Sequence, residues 1–340
     1  MASLFPQVGS DESNDRLVGI ARMAAEGEAL DEGHNVEYLT LDNRSVLSRC
    51  TSRRVPFGWT INPYRGCEFA CKYCYARYTH EFMELRDGLD FERKIFVKQH
   101  TAWLLRQELK KVRTGESIAI GSATDPYQPA ERRFGITRAL LEEFSRHRGL
   151  GIGLITKSNL ILRDLELLQA VAGNNKLGIH VTVTTIKTDL ARILEPRAPR
   201  PDLRLQAVQK LVEAGLHVGV SCSPVLPGIT DLPADLEKVV RAAAAAGAGS
   251  VFANSLFLKP CSAKVFMPFL QENFPQLVPL YEKRYADRVF LPAEYRRRIS
   301  ALVNKYCEKY GIGKRSSDGL QRASNTITPQ RGPEQMGLFA

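Results

Sequence analysis

The sequence predicts an α/β fold built around parallel strands, with smaller segments before and after it. Three observations support this prediction. Short β-rich runs recur about every 30 residues from residue 117 onward, which is the length of one strand–helix unit. The segments between them carry apolar residues at helical spacing, and polar residues collect where the runs end. This pattern suits a partial barrel or a doubly wound sheet, and both place a ligand site at the carboxyl ends of the strands.

Six parallel strands are expected. One precedes the first cysteines, and the other five are Ser117–Gly121, Leu150–Thr156, Gly178–Thr185, Leu216–Cys222 and Ser250–Leu256. Polar side chains stand at the ends of four of these runs: Ser122, Thr124 and Asp125; Thr156, Lys157 and Ser158; Thr184 and Thr185; Ser221 and Ser223. Strand ends also become polar where they meet solvent, so this alignment is consistent with a site without requiring one.

The helices between the strands have recognisable start and stop signals. Thr137 can cap one helix, and Asp164 can cap the next, with Gly173 as its stop. Two further apolar stripes end at Gly215 and Gly247. Each helix would therefore return the chain to the start of the next parallel strand.

Four segments follow from these patterns. We expect an acidic, poorly ordered segment over 1–43 and the barrel over 44–258. A helical extension is expected over 259–312, and a polar, flexible tail over 313–340.

Composition excludes several classes of protein. With 44% hydrophobic and 25% charged residues, the chain can form a sizeable core. Seven cysteines are an odd number and too few for a secreted disulfide scaffold. We find neither a signal peptide nor an apolar run long enough to cross a membrane, so we expect a cytoplasmic protein with reduced thiols and no membrane contact.

The charge is basic and unevenly distributed. Lys and Arg number 47 and Asp and Glu 37, a net charge of +10. Residues 1–43 hold nine acids and two bases, which gives −7, so the remainder carries +17. Such a surplus favours an anionic partner such as nucleic acid, although a solvated basic face gives the same composition.

The most specific motif is the stretch NPYRGCEFACKYCY, in which Cys67, Cys71 and Cys74 have the spacing C-x-x-x-C-x-x-C. Three thiolates on one loop can bind three corners of a four-iron cluster and leave its fourth iron open. Two alternatives exist. The loop could bind structural zinc with His80 as the fourth ligand, or the cysteines could be grouped by chance.

This motif, with an aromatic residue before its last cysteine, resembles that of the radical S-adenosylmethionine (SAM) enzymes. The neighbouring stretches resemble the branch containing spore photoproduct lyase, often called DNA repair photolyases. They are NPYRGCEFACKYCYAR, SATDPYQPAE, LITKSNLILRDLELL, LEPRAP and VSCSPVLPGITD, between about residues 58 and 231. The resemblance implies a partial (β/α)6 barrel of the TIM type with the cluster at its mouth. It also implies that SAM binds the open iron and is cleaved reductively to a 5′-deoxyadenosyl radical, which abstracts hydrogen from the substrate.

The resemblance also implies roles for individual residues. Tyr73 matches the aromatic residue beside the SAM adenine, and Lys157 matches a lysine that contacts the SAM carboxylate. Either Thr182 or Thr184 would meet the ribose. The residues expected near the SAM amino group are Ser122, Thr124 and Asp125. Glu195 and Arg204 lie where this branch has charged residues near the site, and a surface ion pair would explain them as well.

One departure from the branch concerns the hydrogen donor. Spore photoproduct lyases have a donor cysteine just before the Thr/Ser-Asp pair of the second strand, where this chain has Ser122 and Ala123. A serine O–H bond is too strong for serine to replace cysteine as the donor of a hydrogen atom. Cys222 could approach the mouth from another strand or be a buried structural residue. The catalytic hydrogen donor is therefore unassigned, and lyase activity itself is not expected.

Two further features bear on partners. Basic residues recur over 44–54, 192–204 and 283–298, the last interleaved with tyrosines. The terminus QMGLFA resembles the Gln-x-x-Leu-Phe peptide by which bacterial repair and replication proteins bind the sliding clamp. Here the matching residues are Gln335, Leu338 and Phe339.

We therefore expect a radical SAM enzyme that acts on nucleic acid, with a reducing partner such as flavodoxin or ferredoxin. One alternative is the same chemistry on a protein, peptide or metabolite. Another is a metal-stabilised nucleic-acid-binding protein without catalysis.

Overall fold

Six parallel strands form the body of the fold in this computed structural model, which describes residues 17–33, 35–52 and 55–313. The main sheet has the order β11-β10-β9-β8-β7-β4-β3, in which only the last pair is antiparallel. Its strands are β3 (Ser48–Arg49), β4 (Trp59–Ile61), β7 (Ser117–Ile120), β8 (Gly151–Thr156), β9 (Lys176–Thr182), β10 (Val218–Val225) and β11 (Ser250–Ser255).

The strand order decides between the two predicted architectures. From β4 to β11 the strands of this sheet lie side by side in their chain order, without the reversal of order that defines a doubly wound sheet. Since β11 ends the sheet on one side and β3 on the other, the barrel is open. A partial (β/α)6 barrel is thereby confirmed.

Helices connect the parallel strands and cover the outside of the sheet. They are α4 (Thr101–Leu109), α5 (Ala130–Phe134), α6 (Ile136–Ser145), α7 (Leu165–Asn174), α8 (Thr188–Leu194), α9 (Pro201–Glu213) and α10 (Pro233–Ala245). Gly215 and Gly247, with φ of 80° and 78°, follow α9 and α10 as predicted. The capping prediction for Thr137 is wrong: it lies inside α6, and its hydroxyl donates to the carbonyl of Pro126. Gly173 likewise lies inside α7 instead of ending it.

A second, four-stranded sheet lies beside the cysteine loop, in the order β1-β2-β6-β5. Its strands are β1 (Ala29–Gly33), β2 (Val36–Leu41), β5 (Tyr64–Arg65) and β6 (Lys94–Lys98), with α1 (Ile20–Ala25), α2 (Tyr78–Glu81) and α3 (Asp90–Arg93) nearby in sequence. The expected lack of order up to residue 43 is therefore wrong for 17–33 and 35–43. Val36, Tyr38 and Leu41 are buried and have acidic residues beside them in the sequence. The acidic composition of the segment therefore gave no indication of a strand.

The C-terminal extension consists of α11 (Pro260–Asn273), α12 (Val278–Tyr285) and α13 (Ala293–Lys309). Helix α13 packs against β11, while α11 contributes to the apolar cluster that contains the cysteine loop. The extension thus covers one side of the site as well as the barrel wall. The predicted tail beyond Gly313 lies outside the described residues. Within the described part of the chain, no helix has the length and apolar character needed to span a bilayer.

Candidate functional site

The cysteine loop leaves the end of β4 and is anchored at its first turn by Gly66. That residue has a φ of 87°, and a Cβ there would lie 2.7 Å from the carbonyl oxygen of Lys94 and 2.9 Å from that of Phe91. Only glycine fits this position without displacing backbone. The next amide, that of Cys67, donates to the Phe91 oxygen at 2.9 Å. The approach of β6 and α3 therefore fixes where the loop begins.

A buried arginine supports the far side of the loop. Arg77 donates from Nη2 to the carbonyl of Cys71 at 3.1 Å and to Glu92 Oε2 at 2.6 Å. From α11, the hydroxyl of Ser262 donates to the carbonyl of Cys74 at 2.9 Å. Sequence reasoning missed these supports, because Arg77 and Glu92 are 15 positions apart and neither belongs to the cysteine spacing.

The three thiols lie in a largely buried, apolar surrounding, and none forms a disulfide. Burial raises the pKa of each thiol, that of Cys71 to about 12, and the carboxylate of Asp125 and the neighbouring thiolates raise the pKa of Cys67 further. Three buried thiolates on one short loop need a positively charged group to remain ionised. The donor set is therefore that of a soft metal centre.

The zinc alternative does not agree with the geometry. Across the described ranges, no three His, Cys, Asp or Glu side chains are gathered closely enough for one metal ion. His80, the proposed fourth ligand, packs between Phe91 and Phe96, and its Nε2 lies 3.1 Å from the carbonyl of Lys94. A four-iron cluster is wider than a single ion, so its cysteines stand farther apart than zinc ligands.

Tyr73 connects the cysteine loop to a buried charged pair. Its hydroxyl donates to Glu195 and lies 3.2 Å from Thr184 Oγ1, which donates to the same Glu195 oxygen at 2.8 Å. Arg204 forms an ion pair with the other Glu195 oxygen and donates to the carbonyl of Thr182 at 3.1 Å. The alternative of a surface ion pair is therefore wrong: both side chains are buried at the carboxyl end of β9.

The pKa directions in this group agree with a permanently charged pair. Burial alone would raise the pKa of Glu195, but Arg204 and Lys157 lower it below its usual value. Burial likewise would lower the pKa of Arg204, and Glu195 raises it instead. The same carboxylate, added to burial, raises the pKa of Tyr73 well above its usual value. Tyr73 is therefore a neutral hydrogen-bond donor at pH 7.

The segment after β7 places the predicted Ser122, Thr124 and Asp125 around the loop. The Thr124 hydroxyl donates to the Gly66 carbonyl at 2.6 Å, beside a second donation from Gln128 at 3.1 Å. Ser122 accepts from Asn62 through its side chain and from Tyr75 through its carbonyl. These residues therefore hold the cysteine loop against β7.

Asp125 joins the ends of two strands. Its carboxylate accepts from the hydroxyl of Thr156 at 2.6 Å, the amide of Lys157 at 2.7 Å and the amide of Tyr127 at 3.0 Å. Burial nevertheless raises its pKa above the usual value. With three donors already bound, this carboxylate orients Lys157.

Lys157 lies between the cysteines and the buried pair. Its Nζ is 5.9 Å from the centroid of the Tyr73 ring. Burial alone would lower its pKa, but Cys71 and Glu195 raise it above the usual value. A protonated amine with partial exposure at this place suits an incoming carboxylate.

Cys222 is a buried residue of β10 in the main core. Its sulfur lies 3.9 Å from the carbonyl oxygen of Thr184, and burial raises its pKa to about 12. This environment agrees with the prediction that Cys222 is a buried structural residue.

Comparison with known proteins identifies the family. The model of the radical SAM superfamily matches residues 61–243, which include the cysteine loop and the strands from β7 to β10. The chain belongs to the radical SAM superfamily. It is therefore an enzyme, and the hypothesis of a binding protein without catalysis is wrong.

Relatives span most of this radical SAM chain. An uncharacterised protein of Mycobacterium tuberculosis is 35% identical over 269 residues, covering 77% of this chain and 79% of its own length. An uncharacterised protein of Methanocaldococcus jannaschii is 28% identical over 239 residues, covering 68% and 84%. The structure of spore photoproduct lyase complexed with dinucleoside spore photoproduct has a TM-score of 0.64 and 14% identity, and the match covers 88% of this chain and 87% of that one. The two proteins therefore share a fold.

The radical SAM assignment accounts for the donor set. The family uses a four-iron cluster and SAM, and Cys67, Cys71 and Cys74, which are free of disulfides and lie on one loop, would suit such a cluster. When bound, the reduced cluster supplies the electron that cleaves SAM to a radical. The protein's residues fix the loop through Gly66 and Arg77 and enclose it beneath α11.

Proposed function

We propose that this radical SAM enzyme acts on nucleic acid in a DNA-repair setting. The observation that carries the proposal is the distribution of charge. The chain from residue 44 to 340 carries +17, and the extension beside the barrel mouth contributes a dense group of cations over 283–298. A field of this sign concentrates polyanions near the site.

Two similar proteins support the same substrate class. The structurally similar lyase holds a dinucleoside photoproduct. A tRNA-2-methylthio-N(6)-dimethylallyladenosine synthase of Sulfurovum is 26% identical over 193 residues, covering 54% of this chain and 41% of its own length. The first is complexed with a dinucleoside, and the second is named for a modified adenosine of tRNA.

Within the site, Lys157 would bind the SAM carboxylate, and Tyr73 would lie beside the adenine. Ser122 would meet the amino group through its backbone, and Thr184 the ribose. Thr182, Thr124 and Asp125 would act by holding the strand ends in place. Ser122 cannot donate a hydrogen atom to a product radical, so the proposed reaction differs from that of the lyase in its final step.

The experiment is a three-armed SAM-cleavage assay after anaerobic reconstitution and reduction. 5′-Deoxyadenosine is measured with ultraviolet-damaged DNA, with undamaged DNA and without substrate. We expect cleavage to be stimulated by nucleic acid and most by the damaged form. Equal rates in all three arms would contradict the proposal and favour a protein, peptide or metabolite.

The proposal extends to two partners. A flavodoxin or ferredoxin of the cytoplasm would supply the electron. The terminal Gln335, Leu338 and Phe339, outside the described residues, would bind the bacterial sliding clamp. Deleting 335–339 should abolish clamp binding and leave SAM cleavage intact, whereas a full-length chain that does not bind the clamp would contradict this part.

A further inference from the structure

A basic groove of about 620 Å³ lies between α12 and α13, outside the SAM site. Among its lining residues are four cations, Lys283, Arg284, Arg288 and Arg298, against one acid, Glu294. Arg288 also pairs with the exposed Asp287 at 3.0 Å. The lining as a whole is strongly positive.

Two of the guanidinium groups stack on one aromatic ring. The Cζ atoms of Arg284 and Arg298 lie 5.0 and 5.2 Å from the centroid of the Tyr295 ring. The Tyr295 hydroxyl donates to Asp231 Oδ2 at 2.7 Å. Stacking restricts both long side chains, so less freedom is lost when they bind a ligand. The groove is therefore preorganised.

Neither stacked arginine has its charge fully satisfied within the described fold. Arg284 Nη1 is buried and has no hydrogen-bond partner. Arg298 approaches Asp231 only at 4.0 Å, the limit for an ion pair, and Asp231 already accepts from Tyr295. The Arg298 side chain is 66% exposed, so its guanidinium is open to an acceptor in the groove. An anionic ligand would supply that acceptor.

The groove is connected to the mouth of the barrel. Asp231 belongs to the loop that follows β10, at the same carboxyl end as the SAM residues. The Tyr281 hydroxyl of α12 also donates to the carbonyl of Pro227 in that loop, at 2.9 Å. A polymer bound across the extension would therefore run toward the site.

We infer that the groove between α12 and α13 binds phosphodiester groups of a nucleic acid strand. The forked guanidinium matches phosphate oxygens in geometry. The groove has room for a nucleotide rather than a single ion. Since Tyr295 is engaged by guanidinium groups, the contact is to the backbone and independent of base sequence. This inference rests on the proposed function and identifies where its substrate class is held.

The test is the salt dependence of oligonucleotide binding by the full-length protein. Anisotropy of a labelled single-stranded oligonucleotide is measured over a salt series for the wild type and for Lys283→Gln with Arg298→Gln. Each lost phosphate contact lowers the slope of log affinity against log salt by about 0.7, so the pair should lower it by about 1.4. Arg284 and Tyr295 stay in place to preserve the packing of α12 on α13.

Two further variants separate charge from structure. Lys283→Arg with Arg298→Lys keeps both charges and should keep the slope. Lys176→Gln with Lys210→Gln removes two exposed charges away from the groove and should also leave the slope unchanged. Equal slopes for the groove variant and this control would overturn the inference, while retained oligonucleotide binding would leave the proposed substrate class standing.

Three other results have definite meanings. A wild-type protein that binds no oligonucleotide overturns both the groove and the proposed substrate class. Displacement of the oligonucleotide by an equal concentration of inorganic phosphate or adenosine monophosphate would contradict the inference that the groove binds a nucleic acid strand. Equal affinities for the oligonucleotide and for a polyglutamate peptide would contradict the inference that the groove recognises phosphate groups.

Discussion

The carboxylate of Glu195 pairs with the guanidinium of Arg204 directly behind Tyr73, and each side chain exposes only 1% of its surface. The pair lies beneath an aromatic residue that immediately precedes a cluster cysteine. Its partners include the Tyr73 hydroxyl and the carbonyls of Thr182 and Pro199, so the charges are hydrogen-bonded on several sides. The pair thus fixes the orientation of Tyr73 relative to β9.

Breaking this pair should destabilise the protein strongly. Arg204→Met leaves Glu195 charged and buried, so we expect a loss of about 3–5 kcal/mol in the free energy of unfolding. Arg200→Met is the matched control, because Arg200 pairs with Asp202 at 57% and 48% exposure and should lose less than about 1 kcal/mol. Chemical denaturation of both variants measures the difference. Equal losses would show that the buried pair has no special role.

The cysteine ligands give the second prediction. Replacing Cys67, Cys71 or Cys74 with Ala should each abolish 5′-deoxyadenosine formation and lower the bound iron, since a thiolate ligand is lost. Cys307→Ala removes a buried thiol of α13, and this variant should retain both 5′-deoxyadenosine formation and bound iron. Iron analysis and product quantification after anaerobic reconstitution provide the measurement. Activity in any of the three loop variants would mean that the ligands are assigned wrongly.

Lys157 gives the third prediction, which concerns SAM affinity. Lys157→Met removes the partly exposed cation beside Tyr73, so SAM affinity should fall about 10- to 100-fold, as expected for a lost hydrogen bond to a charged group. Iron content should stay at the wild-type level. Equilibrium SAM binding to the reconstituted protein measures this, with Lys210→Met as an exposed control. Unchanged affinity would remove Lys157 from the SAM site.

His80 predicts a pH dependence of stability. Burial lowers its pKa to about 4, whereas an unfolded histidine has a pKa near its usual value of about 6.5. As the pH falls below about 6.5, only the unfolded chain binds the proton, so stability falls with pH. Between pH 7.5 and 5.5 this contributes about 1.3 kcal/mol of destabilisation. His80→Gln should reduce the pH-dependent loss by that amount in denaturation at the two pH values, and an identical loss would contradict the account.

Local patterns were sufficient to predict the parallel strands and the cysteine loop, because both depend on short spacings, whereas the choice of a barrel over a doubly wound sheet came from the family resemblance. The six parallel strands and the stops at Gly215 and Gly247 are confirmed. The burial of Glu195 with Arg204 could not be predicted, since the sequence of two opposite charges nine positions apart is the same whether the ion pair is buried or exposed.

Long-range contacts explain the other differences. The strand β2 lies in an acidic stretch and is stabilised by pairing with β6, more than 50 positions later. Likewise, the bond between Asp231 and Tyr295 joins residues 64 positions apart and connects the extension to the barrel. Neither contact leaves a periodic signal in the sequence, so only the folded chain shows them.

The central claim, that this radical SAM enzyme takes a hydrogen atom from nucleic acid, is tested most directly by isotope transfer. The reduced, reconstituted protein is given SAM and a perdeuterated oligonucleotide, either ultraviolet-irradiated or not, and the mass of 5′-deoxyadenosine is measured. The account predicts deuterium in the product with at least the irradiated strand, and none with an unlabelled strand. Abundant 5′-deoxyadenosine without deuterium from either labelled strand would contradict it.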